Sequence, residues 1–452
     1  MKLLYLTNGY PPRHAAGAEV YTAGLASAFA RAGHSVRVVC VGEWESGPQP
    51  LNGAEDSDQE GVRVTRLNLN WRQGPDPNRY LYDNPAVEAY LAALLAEDRP
   101  DLVHVTSCYT LSASVLRTIK RSGLPLVITL TDFWFLCPRI TLLRSDGVLC
   151  DGQTTPWECL KCVLHEAKAY RWPTRVLPEA AVQTALTWIS TQPVLSRRPG
   201  LRGMALDMGA RKRLLPTLLD LADVIIAPSH ALARLYHDNG LNRPLRVMAY
   251  GHRLDWVKDV QPRPAAARLA FGFVGRITEA KGVHVLTAAA ARLGADLPLQ
   301  IDVWGDTHQE PAYFAALPKP GPKHPPMTFH GRFERGCQAE VFSQIDVLVV
   351  PSIWYENNPL VIQEAFAAGI PVIASDLGGM AEFVEPEVNG LLFETGNADA
   401  LAAAMQRLAT QPELLERLRR GVPRVQSVEQ ALAELETLYR EVLAGAPRED
   451  PR

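Results

Sequence analysis

Short apolar runs alternate along this chain with longer stretches that keep their apolar residues on one helical face. In the first half, the runs at residues 3–7, 36–40, 62–67, 102–105, 126–130, 224–227 and 246–249 read as buried strands. Helices are predicted between them over 18–31, 86–97, 111–120 and 230–238. Gly33 and Gly240 fall where two of these helices stop, and Ser229 falls where one starts. Residues 43–60 read as a polar loop. A proline-bearing stretch at 257–265 reads as a linker, after which the rhythm restarts. Strands are predicted at 270–274, 299–304, 327–330, 347–350 and 370–374, and helices over 283–293, 337–344, 360–368, 398–409, 412–420 and 428–443. Such alternation builds parallel, doubly wound sheets, so the fold class is α/β with two Rossmann-like domains. They are expected at 1–256 and 257–425, with a last helix and tail at 426–452, and with a cleft between facing carboxyl edges.

Composition narrows the class. The chain has 452 residues, enough for more than one core. Hydrophobic residues make up 47% and charged residues 21%, as in soluble globular proteins. The net charge of −3 argues against a globally basic nucleic-acid binder. No apolar run reaches the roughly 18 residues of a membrane span, and the opening MKLLYLTNGYPP reads as a strand rather than a signal peptide. A cytoplasmic protein is expected.

Two stretches carry candidate chemistry. Residues 347–374 read as strand, loop, helix and strand, with Asn358 as the expected N-cap and Pro359 in the first turn. Glu356 precedes the helix and Glu364 lies inside it. A helix start suits a phosphate, and carboxylates accept from paired sugar hydroxyls. The alternative is an ordinary βαβ unit with two solvated acids. The second stretch is FVGRITEAKG at 273–282, where a strand ends near Gly275 and Arg276 and Lys281 follow. Arg as a fork and Lys as a point charge suit a diphosphate. Two cations with two acids suit a nucleotide-sugar better than a free nucleotide.

Residues 132–213 break the alternation. Cys137, Cys150, Cys159 and Cys162 fall within them, the last two as C-x-x-C. Four thiols in one insertion suit a structural zinc; an iron–sulfur cluster or plain reduced or paired thiols are the other readings. Downstream, Lys168, Arg171, Arg175, Arg197, Arg198, Arg202, Arg211, Lys212 and Arg213 face only Glu179 and Asp207, with Trp172 and Trp188 interleaved. This pattern suits peripheral contact with an anionic membrane at its inner face, or a solvated lid. The acidic Asp56–Ser57–Asp58 lies in the expected polar loop and reads as solvated rather than as a metal pair.

The spacing from Glu356 to Glu364 within PSIWYENNPLVIQEAFAAGIPVIAS resembles the E-x7-E signature of GT-B glycosyltransferases of family 4, a retaining, metal-independent group. FVGRITEAKG resembles that family's diphosphate loop. Asp376, Gly378, Gly379 and Glu382 resemble the segment after the signature, and PPRHAAGAEVYTAGLASAFARAGHSV resembles its first glycine loop and helix. The resemblance implies a GT-B fold and sugar transfer from a nucleotide-sugar donor to a glycan or lipid-linked acceptor. It implies that Arg276 and Lys281 hold the diphosphate, backbone amides near Asn358 and Leu360 meet the phosphate, Glu364 takes the ribose and Glu356 the donor sugar, with the base near Arg332 and Phe333. No catalytic cofactor is implied. The first loop keeps Gly17 but has Ala16 for its paired glycine, and Thr131 stands where relatives often carry His before Asp132, the candidate acceptor contact. Thr131 keeps a non-catalytic glycan-binding subunit in view; a nucleotide-sugar epimerase on the same fold is the other alternative.

Overall fold

A computed structural model describes residues 1–166, 176–192, 204–261, 263, 268–319, 321–334 and 336–445. They divide into two units. Unit 1 comprises Met1–Pro228, Ala233–Met248 and the chain from Glu429 onward; unit 2 comprises Ser229–Leu232 and Ala249–Val428.

Unit 1 is built on strands β1 (Lys2–Leu6), β2 (Ser35–Trp44), β3 (Leu51–Gln59), β4 (Val62–Leu69), β5 (Leu102–Val105), β6 (Leu126–Thr129), β7 (Val224–Ala227) and β8 (Arg246–Val247). Their order is β3-β4-β2-β1-β5-β6-β7-β8. All neighbours pair in parallel except β3 with β4. The central strands are buried on both faces, which is why they read as unbroken apolar runs. β3 corrects the polar loop expected at 43–60. LNGAEDSDQ shows no apolar alternation, so nothing local marks it as a strand. What holds it is the ladder to β4 together with cross-strand pairs: Asp56 accepts from Arg63 Nη2 at 2.6 Å and from Thr65 Oγ1 at 2.6 Å, and Arg66 donates to Ser57 at 2.7 Å. Asp56 is thus spent on the sheet edge.

The helix Val428–Ala444, expected as a separate end piece, belongs to the core of unit 1. The Tyr439 hydroxyl lies 3.0 Å from that of Tyr5 and 2.5 Å from His104 Nδ1, and its ring stacks on Phe29 at 5.3 Å. Burial pushes the His104 imidazole down to about 3, so it packs as a neutral hydrogen-bonding group.

Unit 2 is built on β9 (Leu269–Val274), β10 (Leu299–Trp304), β11 (Met327–Gly331), β12 (Val347–Val350), β13 (Val372–Ser375) and β14 (Gly390–Phe393). The order is β11-β10-β9-β12-β13-β14, parallel throughout. β14 and the short helix Gly378–Phe383 extend the expected pattern. The strand order reverses between β9 and β12, the position where open α/β sheets hold ligands outside their carboxyl ends. Among the described residues, no helix is long and apolar enough to cross a membrane.

Candidate functional site

Three loops leave the carboxyl ends of the adjacent strands β9, β12 and β13 and are tied side by side. The Ile353 amide donates to the Ala280 carbonyl at 2.9 Å, and the Gly379 amide donates to the Glu356 carbonyl at 2.8 Å. Two glycines make this closeness feasible. Gly282 has φ +70°, and a Cβ there would stand 1.8 Å from the Pro351 oxygen. A Cβ on Gly379 would stand 2.6 Å from the Glu356 oxygen. The sequence places these residues in separate motifs; the sheet order brings them together.

Glu356 and Lys281 meet at the reversal point. The Glu356 side chain is 9% exposed and that of Lys281 23%, and Lys281 Nζ donates to Glu356 Oε1 at 2.6 Å. Ser352 Oγ and Trp354 Nε1 also donate to Oε1, each at 2.9 Å, so Oε2 receives none of these three. Burial raises the Glu356 carboxyl, but the Lys281 charge and these hydrogen bonds outweigh it and hold the group below the usual glutamate value. Lys281 Nζ also sits 5.5 Å from the centre of the Trp354 ring. The ammonium is therefore positioned before any ligand arrives.

The other unit 2 candidates lie on segments that follow β9, β11 and β12. Gly275 accompanies the end of β9, its amide bonded to the Trp304 carbonyl at 3.0 Å. Arg276 is exposed on the same loop, and its guanidinium makes no ion pair among the described residues. The helix runs Leu360–Ala367 with Pro359, not Asn358, at its N-cap, and no side chain caps it. Asn358 is buried one residue earlier, a correction to the expected cap; Pro359 has φ −69° and ψ 99°, an extended turn before the helix rather than its first turn. Leu360 is the first helical residue. Glu364 is partly buried on the next turn, and desolvation pushes its carboxyl up to about 7. Arg332 is exposed just past β11, while Phe333 packs against the core that contains Trp304 and Ile362.

In unit 1, Gly17 opens the helix Gly17–Arg31. Asp132 follows β6; its carboxyl accepts from the Trp134 amide at 2.8 Å and from Ser107 Oγ at 3.3 Å, and burial pushes it up to about 6. Thr131 donates to the Thr106 carbonyl at 2.6 Å. Cys137, Cys150, Cys159 and Cys162 all line one small cavity. Cys159 and Cys162 share a face of the helix Pro156–Glu166, and Gly152 N donates to Cys150 Sγ at 3.4 Å. Among the described residues, no group of three or more His, Cys, Asp or Glu is arranged to hold a metal ion. Of the basic stretch, Lys168, Arg171, Trp172, Arg175, Arg197, Arg198 and Arg202 lie outside the described residues. Arg211 is buried against Trp134, Lys212 donates to the Thr154 carbonyl, and Trp188 is 61% exposed.

Sequence reasoning missed a cavity of about 440 Å³ in unit 1, walled by Trp44, Trp71, Tyr82, Tyr109, Trp134 and the helix Met204–Leu219. The one local signal was Met204, Asp207, Met208 and Arg211, spaced to share a helix face.

Two family models match the chain: Glycosyl transferase 4-like domain over residues 16–158 and Glycosyl transferases group 1 over residues 268–411. The GDP-mannose-dependent alpha-mannosyltransferase of Mycolicibacterium smegmatis is 32% identical over 177 residues, 39% of this chain and 41% of that protein. The putative glycosyltransferase YtcC of Bacillus subtilis is 30% identical over 192 residues, 40% of this chain and 47% of that protein. Less than half of either relative is thus matched. Among solved structures, Anabaena HepE in complex with UDP and glucose superposes with a TM-score of 0.61 at 18% identity, covering 97% of this chain and 100% of that one.

Proposed function

The chain belongs to the GT-B glycosyltransferases of the group 1, family-4-like type, and from that membership we propose that it moves a sugar from a nucleoside diphosphate to a glycan or lipid-linked acceptor with retention at the anomeric carbon. The observation that carries the reading is the prepositioned Lys281–Glu356 pair at the strand-order reversal of unit 2, with Arg276 exposed on the same loop.

As the bond from the sugar to the β-phosphate oxygen breaks, the nucleoside diphosphate leaves with the electron pair and gains negative charge. Arg276, Lys281 and the amides at the start of Leu360–Ala367 are the donors that meet this charge. Glu356, turned so that Oε1 holds the lysine, offers Oε2 to a donor-sugar hydroxyl. Glu364 accepts from the ribose, and Arg332 and Phe333 flank the base. The acceptor hydroxyl oxygen forms the new C–O bond as its proton passes to the departing diphosphate oxygen, and Asp132 is the proposed acceptor contact. The carboxyl of Asp132, pushed up to about 6, changes charge near neutrality.

The test is a thermal-shift panel of UDP, GDP, ADP and dTDP and their common sugars, with Glu364→Ala as the control. A ligand at 100 times its Kd adds about 2.7 kcal/mol. A selective shift lost in the variant supports the site; no shift with any nucleotide overturns it.

Two subsidiary proposals concern the insertion. The four thiols take a structural zinc, supported by the donor set and the shared cavity; their side chains must turn to close on the ion. Metal analysis of the reduced protein is expected to find zinc that Cys159→Ser removes along with thermal stability; metal-free protein of full stability overturns this. Peripheral membrane contact is supported by the exposed Val176, Leu177, Trp188 and Leu206. Trp188→Ala is expected to weaken sedimentation with anionic vesicles, and unchanged sedimentation overturns that role.

A further inference from the structure

One side chain of unit 2 touches both members of the Lys281–Glu356 pair. Trp354 lies partly buried in the loop after β12, two residues before Glu356. Its indole Nε1 donates to Glu356 Oε1 at 2.9 Å, and its ring centre lies 5.5 Å from Lys281 Nζ. The loop is tied on either side of the indole. The Ile353 amide donates to the Ala280 carbonyl at 2.9 Å, and the Glu356 carbonyl accepts from the Gly379 amide at 2.8 Å. The described members of the two apolar cores of unit 2 include the neighbouring Ile353 but not Trp354. Packing a core is therefore not what this indole does; it presents an edge to the carboxylate and a face to the ammonium.

The donors on Glu356 differ in what they can fix. A lysine ammonium is a point charge on a flexible stem with three rotatable donors, so alone it does not choose between two carboxylate oxygens. A serine hydroxyl turns its hydrogen to suit the acceptor. The indole has a single N–H, set rigidly in the plane of a large ring. Its direction selects Oε1, and Lys281 at 2.6 Å and Ser352 at 2.9 Å join it on that oxygen. The ring face acts differently. It attracts the Lys281 ammonium without taking one of its N–H donors, so it steadies the cation and leaves hydrogens for a phosphate.

We propose that Trp354 is a positioning residue of the donor site: its N–H turns Glu356 so that Oε2 faces the donor sugar, and its ring steadies Lys281 for the diphosphate. What the pair binds rests on the proposed sugar transfer; the hold of the indole on the pair does not. The two features of one side chain thus serve two parts of the ligand. The N–H governs the sugar, through Glu356, and the face governs the diphosphate, through Lys281. A Trp354 that merely filled space in the loop would show no such division, and its loss would weaken every ligand alike.

The test uses the full chain. Without ligand, the indole N–H resonance of Trp354 is identified by NMR from its loss in Trp354→Phe. It is expected to move upfield in Glu356→Gln, as an N–H does when its charged acceptor becomes neutral, and an unmoved resonance overturns the proposal. With ligand, isothermal titration compares UDP, GDP and ADP with UDP-glucose, GDP-mannose and ADP-glucose. Trp354→Phe keeps an aromatic face and loses the N–H. Affinity for the nucleotide-sugar should fall about tenfold, as for one hydrogen bond to a charged group, with affinity for the diphosphate changed by less than about twofold. Trp354→Leu loses both features and should also weaken the diphosphate, by about fivefold. Equal losses for the two ligand classes in Trp354→Phe, or no loss in either variant, overturn the proposal. No nucleotide binding by the unsubstituted protein defeats the transferase reading instead, and the resonance shift alone then supports or overturns the hold of the indole on Glu356.

Discussion

The polar groups of the unit 2 site come from two short stretches, Gly275 to Gly282 and Glu356 to Glu364, each just past the carboxyl end of a strand. The unit 1 cavity draws its wall from separate segments between Trp44 and Arg211: a strand end, a turn, loops after β5 and β6, and three helices. In the first region, spacing along the chain nearly equals arrangement in space. In the second, only Met204, Asp207, Met208 and Arg211 share a spacing. Where function needs a few charges at fixed distances, a strand–loop–helix unit can hold them locally. Where it needs a broad apolar surface, packing has to gather it from the whole unit.

That contrast can be broken experimentally, most sharply at the glycine that lets two unit 2 loops touch. Gly282→Ala places a Cβ against the Pro351 carbonyl at a positive φ and is expected to cost about 3 kcal/mol, read as a lower urea midpoint. A midpoint within error of the unsubstituted protein would mean that the loops are not held this closely. Lys281→Ala comes next: nucleoside diphosphate affinity should fall about 30-fold, and that of the bare nucleoside should not, by isothermal titration. Equal losses would defeat the diphosphate assignment.

The third expectation is a pH slope. The Glu364 carboxyl stands near 7 in the folded protein, above its ordinary value of 4.5, so the folded state binds the extra proton between those values. Its contribution to stability is present below about 4.5 and is lost as pH rises through about 7. If the ionised form accepts from the ribose, nucleotide Kd should tighten about tenfold from pH 6 to pH 8. Glu364→Gln should flatten this slope, and a slope that persists in the variant would place the titrating group elsewhere. The smallest effect is expected at the edge strand of unit 1. Asp56→Ala removes the exposed pair with Arg63 and the acceptor of the buried Thr65 hydroxyl, is expected to cost about 1 kcal/mol, and should leave ligand binding in both units unaltered.

The chain's own pattern determined the class of fold and most elements of both sheets, because a strand buried on both faces must be apolar throughout and a helix on a sheet must repeat its apolar face. It also made the candidate donor residues legible, because Arg276, Lys281, Glu356 and Glu364 lie on the loops and the helix that follow strand ends whose positions are themselves legible. It did not show β3, whose residues have no apolar alternation and are held by their partner strand and by charge pairs to Arg13 and Arg37. Nor did it show that Val428–Ala444 completes the unit 1 core through Tyr439, since a contact across 434 positions leaves no local trace. Which glycines permit close approach, which oxygen of Glu356 the lysine takes, and which aromatic side chains share a wall were decided by tertiary structure alone. Those outcomes depend on distances between segments, and distance between segments is what folding supplies.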